Sequence, residues 1–144
     1  MQNYTYSLTV RMWHPSIDPA AITEELGATP KRACAVGERR KTPKGQPLGG
    51  VYAETYWWTT PFERDEYLST DNLAVDALDD VLQWLAPHKS FLQRLRSGGG
   101  RIILEVSSYS GRNYAIVFPP EFLAKCADLG LCLAHDVYPY AQNW

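Results

Sequence analysis

The sequence has few cysteines, no long apolar run and almost no net charge, and each shortage excludes a class of protein. Three cysteines among 144 residues are too few for a disulfide framework and are typical of a protein of the reducing cytoplasm. No apolar run exceeds five residues, whereas a membrane-spanning helix needs about 20. The formal net charge of −2 predicts no polyanionic partner. The first residues carry no basic and apolar leader, so we expect a cytoplasmic protein without a membrane partner.

What is present is the composition of a folded globular protein. Apolar residues make up 45% of the chain, charged residues 21% and aromatic residues 12%, which excludes disordered, collagen-like and coiled-coil chains. A length of 144 residues fits one domain, since domains hold about 100–200 residues. We therefore expect residues 1–144 to form a single domain with its own core.

Charges are distributed unevenly along the chain. Residues 31–44 hold six basic residues and one acid, whereas residues 63–80 hold seven acids and one base. Residues 81–104 hold four basic residues and no acid. Such blocks are usually solvated surfaces, but they can also steer a charged partner over distances near the Debye length of about 8–10 Å.

Periodicity and turn residues predict the elements of the first half. Residues 4–13 alternate between apolar and polar side chains, which indicates a half-buried strand. The Asp18-Pro19 pair predicts the start of a helix and Gly27 its end. Residues 28–50 contain three prolines and four glycines and predict a long basic loop. Residues 51–60 return to strand composition.

Helices are predicted next. Residues 74–85 carry an apolar stripe at helical spacing. Three residues before them are candidates for the N-cap: Ser69, Thr70 and Asp71. Pro87 interrupts this helix, and a second short helix follows it before the glycines at 98–100.

The last part of the chain predicts strands around a final helix. Residues 101–108 and 113–118 have strand composition, and the Ser110-Gly111 signal between them predicts a hairpin. Residues 119–130 begin with two prolines and end with glycine, as a capped helix does. We expect its inward residues to be Leu123, Cys126 and Ala127. Residues 131–138 alternate again and predict the last strand.

The predicted order of elements is β-α-loop-β-α(α)-β-β-α-β, with the long basic loop at about 28–50. Its final portion, α-β-β-α-β, favours helices stacked on one side of a sheet. The sequence therefore predicts an α+β fold in which a mainly antiparallel sheet has its helices packed on one side.

No sequence motif points to catalysis, a metal or a cofactor. Cys132 and His135 are three residues apart on a predicted strand, so they point to opposite faces and cannot easily share an ion. Cys34 lies in the predicted loop near several basic residues, which would activate a thiol only if their geometry were right. No histidine lies near it in sequence to act as a base, so an inert thiol is the favoured interpretation. We expect a non-enzymatic protein with no catalytic residue, no metal and no cofactor.

Residues 112–117 are partly similar to the RNP1 strand of RNA-recognition motifs, whose aromatic side chains stack on bases. Asn113 stands where that motif has a glycine, and Ile116 stands where it has an aromatic residue. The first strand supplies no partner motif. Nucleic-acid binding is therefore not expected.

Aromatic residues gather at predicted strand ends and near the C-terminus: Trp13, Trp57, Trp58, Tyr138, Tyr140 and Trp144. Trp57 and Trp58 are adjacent, so in a regular strand they point to opposite faces. One is expected in the core, and the other needs a covering helix or a partner. Such residues anchor protein interfaces, and they equally pack sheets against helices, so both interpretations stay open.

Several short motifs resemble those of one known family. They form a capped helix, a turn and a final helix–strand unit: Asp18-Pro19, Ile22-Thr23, Leu26-Gly27-Ala28, Pro30, Gly37-Glu38, the tryptophan of the next strand, Leu129-Gly130-Leu131 and Asp136-Val137-Tyr138. Together they resemble the DUF4279 family over nearly the whole chain. That family is a bacterial domain of unknown function. The resemblance implies a small cytosolic bacterial protein and supplies no catalytic residues.

The leading hypothesis is a non-enzymatic protein-binding module of the immunity or adaptor type, which masks a charged surface of a partner such as a toxin or effector. Five residues are its candidate contacts: Trp57, Trp58, Asp76, Asp79 and Asp80. One tryptophan would be the anchor, and the acids would cover a basic cleft. Charge reversal at the three aspartates is expected to slow association.

The alternative hypothesis is a small-molecule-binding protein, or a small enzyme, whose basic loop closes over an anionic ligand. Arg39, Arg40 and Lys41 would then hold the ligand. A structural homo-oligomer is a third hypothesis.

Overall fold

The computed structural model describes residues 2–139. The strands are β1 (Thr5–His14), β2 (Arg32–Cys34), β3 (Arg39–Lys41), β4 (Pro47–Val51), β5 (Thr55–Thr59), β6 (Tyr67–Leu68), β7 (Arg101–Tyr109) and β8 (Cys132–Val137). The α-helices are α1 (Pro19–Leu26), α2 (Ala74–Leu85), α3 (Lys89–Ser97) and α4 (Pro120–Leu129).

One main sheet organises the chain. Its strand order is β2-β5-β1-β7-β8, with β6 paired to the start of β1, while β3 and β4 form a separate hairpin. All pairs of the main sheet are antiparallel except β7 with β8, which are parallel. The prediction of an α+β fold with a mainly antiparallel sheet is confirmed.

Helices cover a single face of the sheet, here called the inner face. Alternate residues of β1 point into it and are almost fully buried: Tyr4, Tyr6, Leu8, Val10 and Met12. The apolar stripe of α2 packs there together with Leu92 and Leu95 of α3. The opposite, outer face carries the other residues of β1, which are half-buried. Within residues 2–139 no helix packs over the outer face.

Helix α1 begins and ends where the sequence predicts. The Asp18 carboxylate accepts a hydrogen bond from the backbone N–H of Ala20 at 2.9 Å, which satisfies an otherwise unpaired donor of the first turn. Gly27 adopts a left-handed conformation with φ 63°, which glycine reaches without steric cost. Ile22 and Leu26 are the buried residues of this helix, as expected.

Residues 28–50 are not a continuous loop, so that prediction is wrong. They contain β2, β3 and most residues of β4, and β2 extends the main sheet at the side of β5. The Tyr52 hydroxyl donates to the carbonyl of Lys41 at 3.1 Å and so ties the β3–β4 hairpin together. Every residue of β3 and β4 is exposed. Because neither strand buries one of its faces, the two strands show no alternation of apolar and polar residues in the sequence.

The predicted hairpin around Ser110-Gly111 is also wrong. Strand β7 pairs with β8 instead, through the α4 crossover, and residues 113–118 belong to no strand. Their alternation has another cause. Tyr114 stacks on Tyr4 with ring centroids 5.1 Å apart, and Phe118 stacks on Phe122 at 5.8 Å. An extended segment with one side against the core alternates just as a strand does, without ladder hydrogen bonds.

The ends of the other helices correct two further predictions. The N-cap of α2 is Leu73, without a side-chain cap, and Ser69 instead accepts from the backbone N–H of Tyr4 at 2.8 Å. In α4 the buried residues are Phe122, Cys126 and Leu129. Leu123 and Ala127 are exposed, because the helix is rotated relative to the predicted inward face. Among residues 2–139 no helix combines the length and the hydropathy that crossing a membrane requires.

Candidate functional site

The two adjacent tryptophans of β5 point to opposite faces of the sheet. Trp57 faces the helices, is 0% exposed and donates its ring N–H to the Thr23 hydroxyl at 3.0 Å. Trp58 lies on the outer face and is half-buried. Trp57 is thus a core residue that no partner can reach, and of the two only Trp58 is left as a candidate anchor.

Trp58 belongs to a group of aromatic and arginine side chains on the outer face. We call Arg11, Trp13, Tyr56, Trp58 and Arg101 the aromatic–arginine cluster. The guanidinium of Arg11 lies 5.1 Å from the ring centroid of Trp58, and that of Arg101 lies 4.5 Å from the ring of Trp13. Trp13 and Tyr56 stack with centroids 5.1 Å apart. Cation–π and stacking contacts of this kind hold the side chains in place.

Glutamates compensate the two arginines of the cluster. Arg11 lies 3.4 Å from a carboxylate oxygen of Glu105 and also donates to the Tyr56 hydroxyl. Arg101 donates to both carboxylate oxygens of Glu54, at 3.2 and 3.3 Å. Exposed ion pairs contribute little to stability, so their main effect here is to orient the guanidinium groups over the rings.

The basic hairpin, which we define as residues 39–51, lies next to the cluster. Arg32 stands directly opposite Trp58 in the β2–β5 register. It donates to the carbonyl of Lys41 at 2.9 Å and to the Tyr52 hydroxyl at 3.0 Å. Hydrogen bonds with Cys34 and Tyr52 raise the pKa of Arg32 above its usual value, and an arginine side chain is in any case always charged. The tertiary structure thus joins the hairpin, through Arg32, to the strand position opposite Trp58.

The three cations proposed for an anionic ligand are all on β3. Arg39, Arg40 and Lys41 are exposed, and within residues 2–139 none of them forms an ion pair. Glu38 is the only acid between residues 31 and 53. These positive charges are therefore available to a negatively charged group.

The three aspartates predicted as partner contacts lie on α2, and we call them the acidic helix face. Asp79 accepts from the Lys125 ammonium at 2.9 Å and from Gln83 at 3.2 Å, and the hydrogen bond from Lys125 is the main reason that its pKa is lowered. Asp76 and Asp80 are exposed. All three line a depression of about 340 Å³ between α2 and α4.

The structure separates the acidic helix face from Trp58. Helix α2 buries its apolar stripe against the inner face of the sheet, so its aspartates point away from the sheet. Trp58 points out of the opposite face. One compact partner surface does not reach both sides of a sheet–helix sandwich. The predicted set of contacts is thus divided, and the residues directly opposite Trp58 on its two neighbouring strands are Arg11 and Arg32.

A hydrogen-bonded group that the sequence analysis missed joins β7 to β8. The Ser108 hydroxyl contacts Nε2 of His135 and the hydroxyl of Tyr114, both at 2.6 Å. Desolvation lowers the pKa of His135, so the neutral imidazole is favoured. Ser108 is 0% exposed, which makes this a structural network rather than an accessible nucleophile. The one signal in the sequence for this network is the predicted inward orientation of His135.

The cysteines and histidines do not converge. Cys34 and Cys126 are buried, and Cys132 is exposed. Cys132 pairs with Ile103, whose side chain is on the outer face, whereas His135 reaches Ser108 on the inner face, so their predicted orientation to opposite faces is confirmed. Nowhere in residues 2–139 do three or more histidine, cysteine or acidic side chains come together in a way that could hold a metal ion. Of the aromatic residues noted above, Tyr140 and Trp144 lie outside the described residues.

Comparisons with known proteins give one match. The family model described as "Domain of unknown function (DUF4279)" matches residues 3–140. No curated protein and no solved structure matches the chain.

Proposed function

The chain belongs to the DUF4279 family, and we propose that it is a non-enzymatic protein-binding module. In this proposal the outer face of the sheet binds another protein, with Trp58 as the central anchor. The module acts in the bacterial cytoplasm as an immunity-type or adaptor protein that masks a charged surface of its partner.

One observation carries the proposal: within the described residues, the aromatic–arginine cluster lies on a sheet face over which no helix packs. Tryptophan, tyrosine and arginine are the residues most enriched at the energetic centres of protein interfaces. The cluster combines all three. Its side chains are already held by stacking and ion pairs, so little side-chain entropy remains to be lost on binding.

The test is affinity capture from a bacterial lysate with the tagged protein and with Trp58→Ala, followed by mass spectrometry. We expect a stoichiometric partner that the variant loses, because truncation of a central anchor costs about 2 kcal/mol or more of binding energy. Calorimetry with the purified partner and both proteins then measures that loss directly.

Two control variants accompany Trp58→Ala. Phe62→Ala removes an aromatic side chain that is 55% exposed at another place, and Asp76→Asn/Asp80→Asn changes the acidic helix face. Both are expected to keep the partner. A partner that survives Trp58→Ala but is lost with the aspartate variant would contradict the proposal. Self-association that Trp58→Ala abolishes, measured by light scattering, would identify a homo-oligomer instead.

The exposed cations of β3 favour a second candidate function, the binding of a small anionic ligand. A thermal-shift screen of nucleotides and phosphorylated metabolites tests it, because a ligand that binds only the folded state raises the melting temperature. A saturable rise that disappears in Arg39→Ala/Arg40→Ala would support this function. A rise that persists in the variant would place the ligand elsewhere.

A further inference from the structure

We infer that the partner surface bound at Trp58 is acidic and comes from a protein segment rich in carboxylates. This inference rests on the proposed function and specifies the chemistry of its partner. It follows from the charges around the aromatic–arginine cluster, from their positions and from the faces of the rings that are already covered.

Arg32, which stands opposite Trp58, and the basic hairpin that it contacts carry positive charge without an ion-pair partner in residues 2–139. Glu105 and Glu54 pair with the arginines of the cluster. The basic hairpin has no comparable partners, since Arg39 and Arg40 form no ion pair within residues 2–139. A cationic partner would be repelled here, whereas carboxylates would find unpaired donors.

Trp58 and the hairpin are close enough for one segment to touch both. Arg32 on β2 stands directly opposite Trp58 on β5, and neighbouring strands are about 4.8 Å apart. The Arg32 guanidinium also donates to the carbonyl of Lys41 on β3 at 2.9 Å, so a single side chain spans from the strand beside Trp58 to the hairpin. A bound chain can therefore pack on the ring of Trp58 and reach the cations of β3.

The charge also changes across the sheet. Arg32 stands at the β2 edge of the outer face, the compensated pairs occupy the middle, and Asp136 stands at the β8 edge. An acidic segment is therefore expected to bind toward β2 rather than at the centre of the sheet.

A single-stranded nucleic acid is the other polyanion to consider, and the ring contacts disfavour it. Bases bind such surfaces by stacking on free aromatic faces. Arg11 covers one face of Trp58, and Arg101 covers one face of Trp13. Trp13 also stacks on Tyr56. Because these ring faces are already covered, the rings are better suited to contact a protein segment through their apolar edges than to stack on bases.

The test is an NMR titration of the isotope-labelled protein with three probes: octaglutamate, octalysine and an eight-nucleotide oligo-dT. Octaglutamate is expected to shift the amide signals of β2, β3 and β5 saturably. Raising the salt from 20 to 200 mM is expected to weaken its affinity about tenfold, since exposed charges are screened. Octalysine is expected to leave these signals unchanged, and oligo-dT to bind more weakly than octaglutamate.

Charge-reversal variants locate the effect. Arg39→Glu/Arg40→Glu is expected to reduce the octaglutamate affinity at least tenfold. The control Arg94→Glu/Arg112→Glu makes the same charge change at exposed arginines outside the hairpin, and its affinity is expected to stay within twofold. The salt dependence of the unmodified protein is a second readout that needs no variant.

Three outcomes would overturn the inference: no shifts with octaglutamate, an equal loss in the control variant, or tighter binding of oligo-dT. A captured partner that needs Trp58 but tolerates Arg39→Glu/Arg40→Glu would overturn this inference and leave the proposed function standing. A partner that tolerates both changes would contradict both.

Discussion

The two adjacent tryptophans of β5 show that a shift of one residue along a strand changes the role of a side chain. Trp57 and Trp58 have the same chemistry and adjacent places, yet one lies in the core and the other under the guanidinium of Arg11. The pleat of a strand turns successive side chains to opposite faces. Because the helices pack on the face to which Trp57 points, Trp58 is the one left accessible to a partner.

We expect the two tryptophans to differ strongly in their effect on stability. Trp57→Ala should lower the free energy of unfolding by about 3–5 kcal/mol, because it removes a fully buried ring and leaves a cavity. Trp58→Ala should lower it by about 1 kcal/mol or less, since that ring is half-exposed. Urea denaturation measures both values. Equal losses would contradict the assignment of Trp58 to the outer face, and Trp57→Phe serves as the milder core variant if Trp57→Ala does not fold.

His135 should make stability depend on pH. Partial desolvation lowers its pKa in the folded state, although much of the side chain is exposed, so the unfolded state binds the proton more readily. This residue's contribution to stability is therefore present above the unfolded pKa of about 6.5 and is lost as the pH falls below it. Asp136, on the opposite face of the strand, opposes the shift only in part.

The measurement is the free energy of unfolding at pH 7.5 and at pH 5.0 for the protein and for His135→Gln. We expect a smaller loss between these pH values in the variant, because glutamine does not titrate. His14 and His88 are unchanged in both proteins, so the difference isolates His135. An identical loss in the two proteins would refute the prediction.

The glycine that ends helix α4 also sets the start of the strand that follows it. Gly130 has φ 73° and ends the helix, and its N–H donates to the carbonyl of Ala127 at 3.0 Å. The next residues enter β8, the parallel partner of β7. The end of this helix therefore aligns an edge strand as well as satisfying its own carbonyl groups.

We expect Gly130→Ala to lower the free energy of unfolding by at least about 1–2 kcal/mol, because alanine is strained at positive φ. The added Cβ would also lie 2.3 Å from the Arg96 guanidinium, which would have to move. Gly111→Ala is the matched control, since no atom lies within 4 Å of its added Cβ, and its effect should stay within about 0.5 kcal/mol. Thermal or urea denaturation compares the two, and similar effects would contradict this account.

The basic hairpin is held in place by hydrogen bonds rather than by burial of apolar side chains. Its strands are entirely exposed, so the hydrophobic effect contributes little to its pairing. The hydrogen bonds around Tyr52 and Arg32 attach it to the main sheet. The same contacts that stabilise the hairpin hold β3 against Arg32, at the β2 edge of the outer face, where the inferred acidic segment would bind.

Over the whole molecule, the net charge of −2 conceals two opposite surfaces. The acidic helix face lies on the side of the helices, and the basic hairpin lies beside the outer face of the sheet. A partner approaching from solution would therefore meet different signs of charge on the two sides, and electrostatic steering would favour one orientation.

A single hydrophobic cluster of the described residues joins every α-helix to the inner face of the sheet. We therefore expect one cooperative unfolding transition, in which tryptophan fluorescence and far-UV circular dichroism give the same midpoint. Trp57 reports the core in the first signal, and the helices dominate the second. Two separate midpoints would contradict the prediction of one domain.

Local sequence patterns determined the parts of this protein that depend on near neighbours. The alternation of β1, the capped start of α1 and the glycine stops of α1 and α4 are all predicted correctly, because each depends on interactions within a few residues. The motifs resembling the DUF4279 family are of the same kind, and the family match confirms them. The α+β class is also predicted correctly, because it follows from the order of such elements along the chain.

Only the tertiary structure decided what depends on contacts between distant segments. The partner of β7 is β8 and not residues 113–118, because strand pairing is selected by packing over the whole core. Contacts between distant segments also decide which tryptophan lies on the outer face, how far Trp58 is from the acidic helix face and that the basic hairpin meets Arg32 opposite Trp58. A linear sequence records which residues are adjacent in the chain, whereas a binding surface depends on which residues the fold brings together.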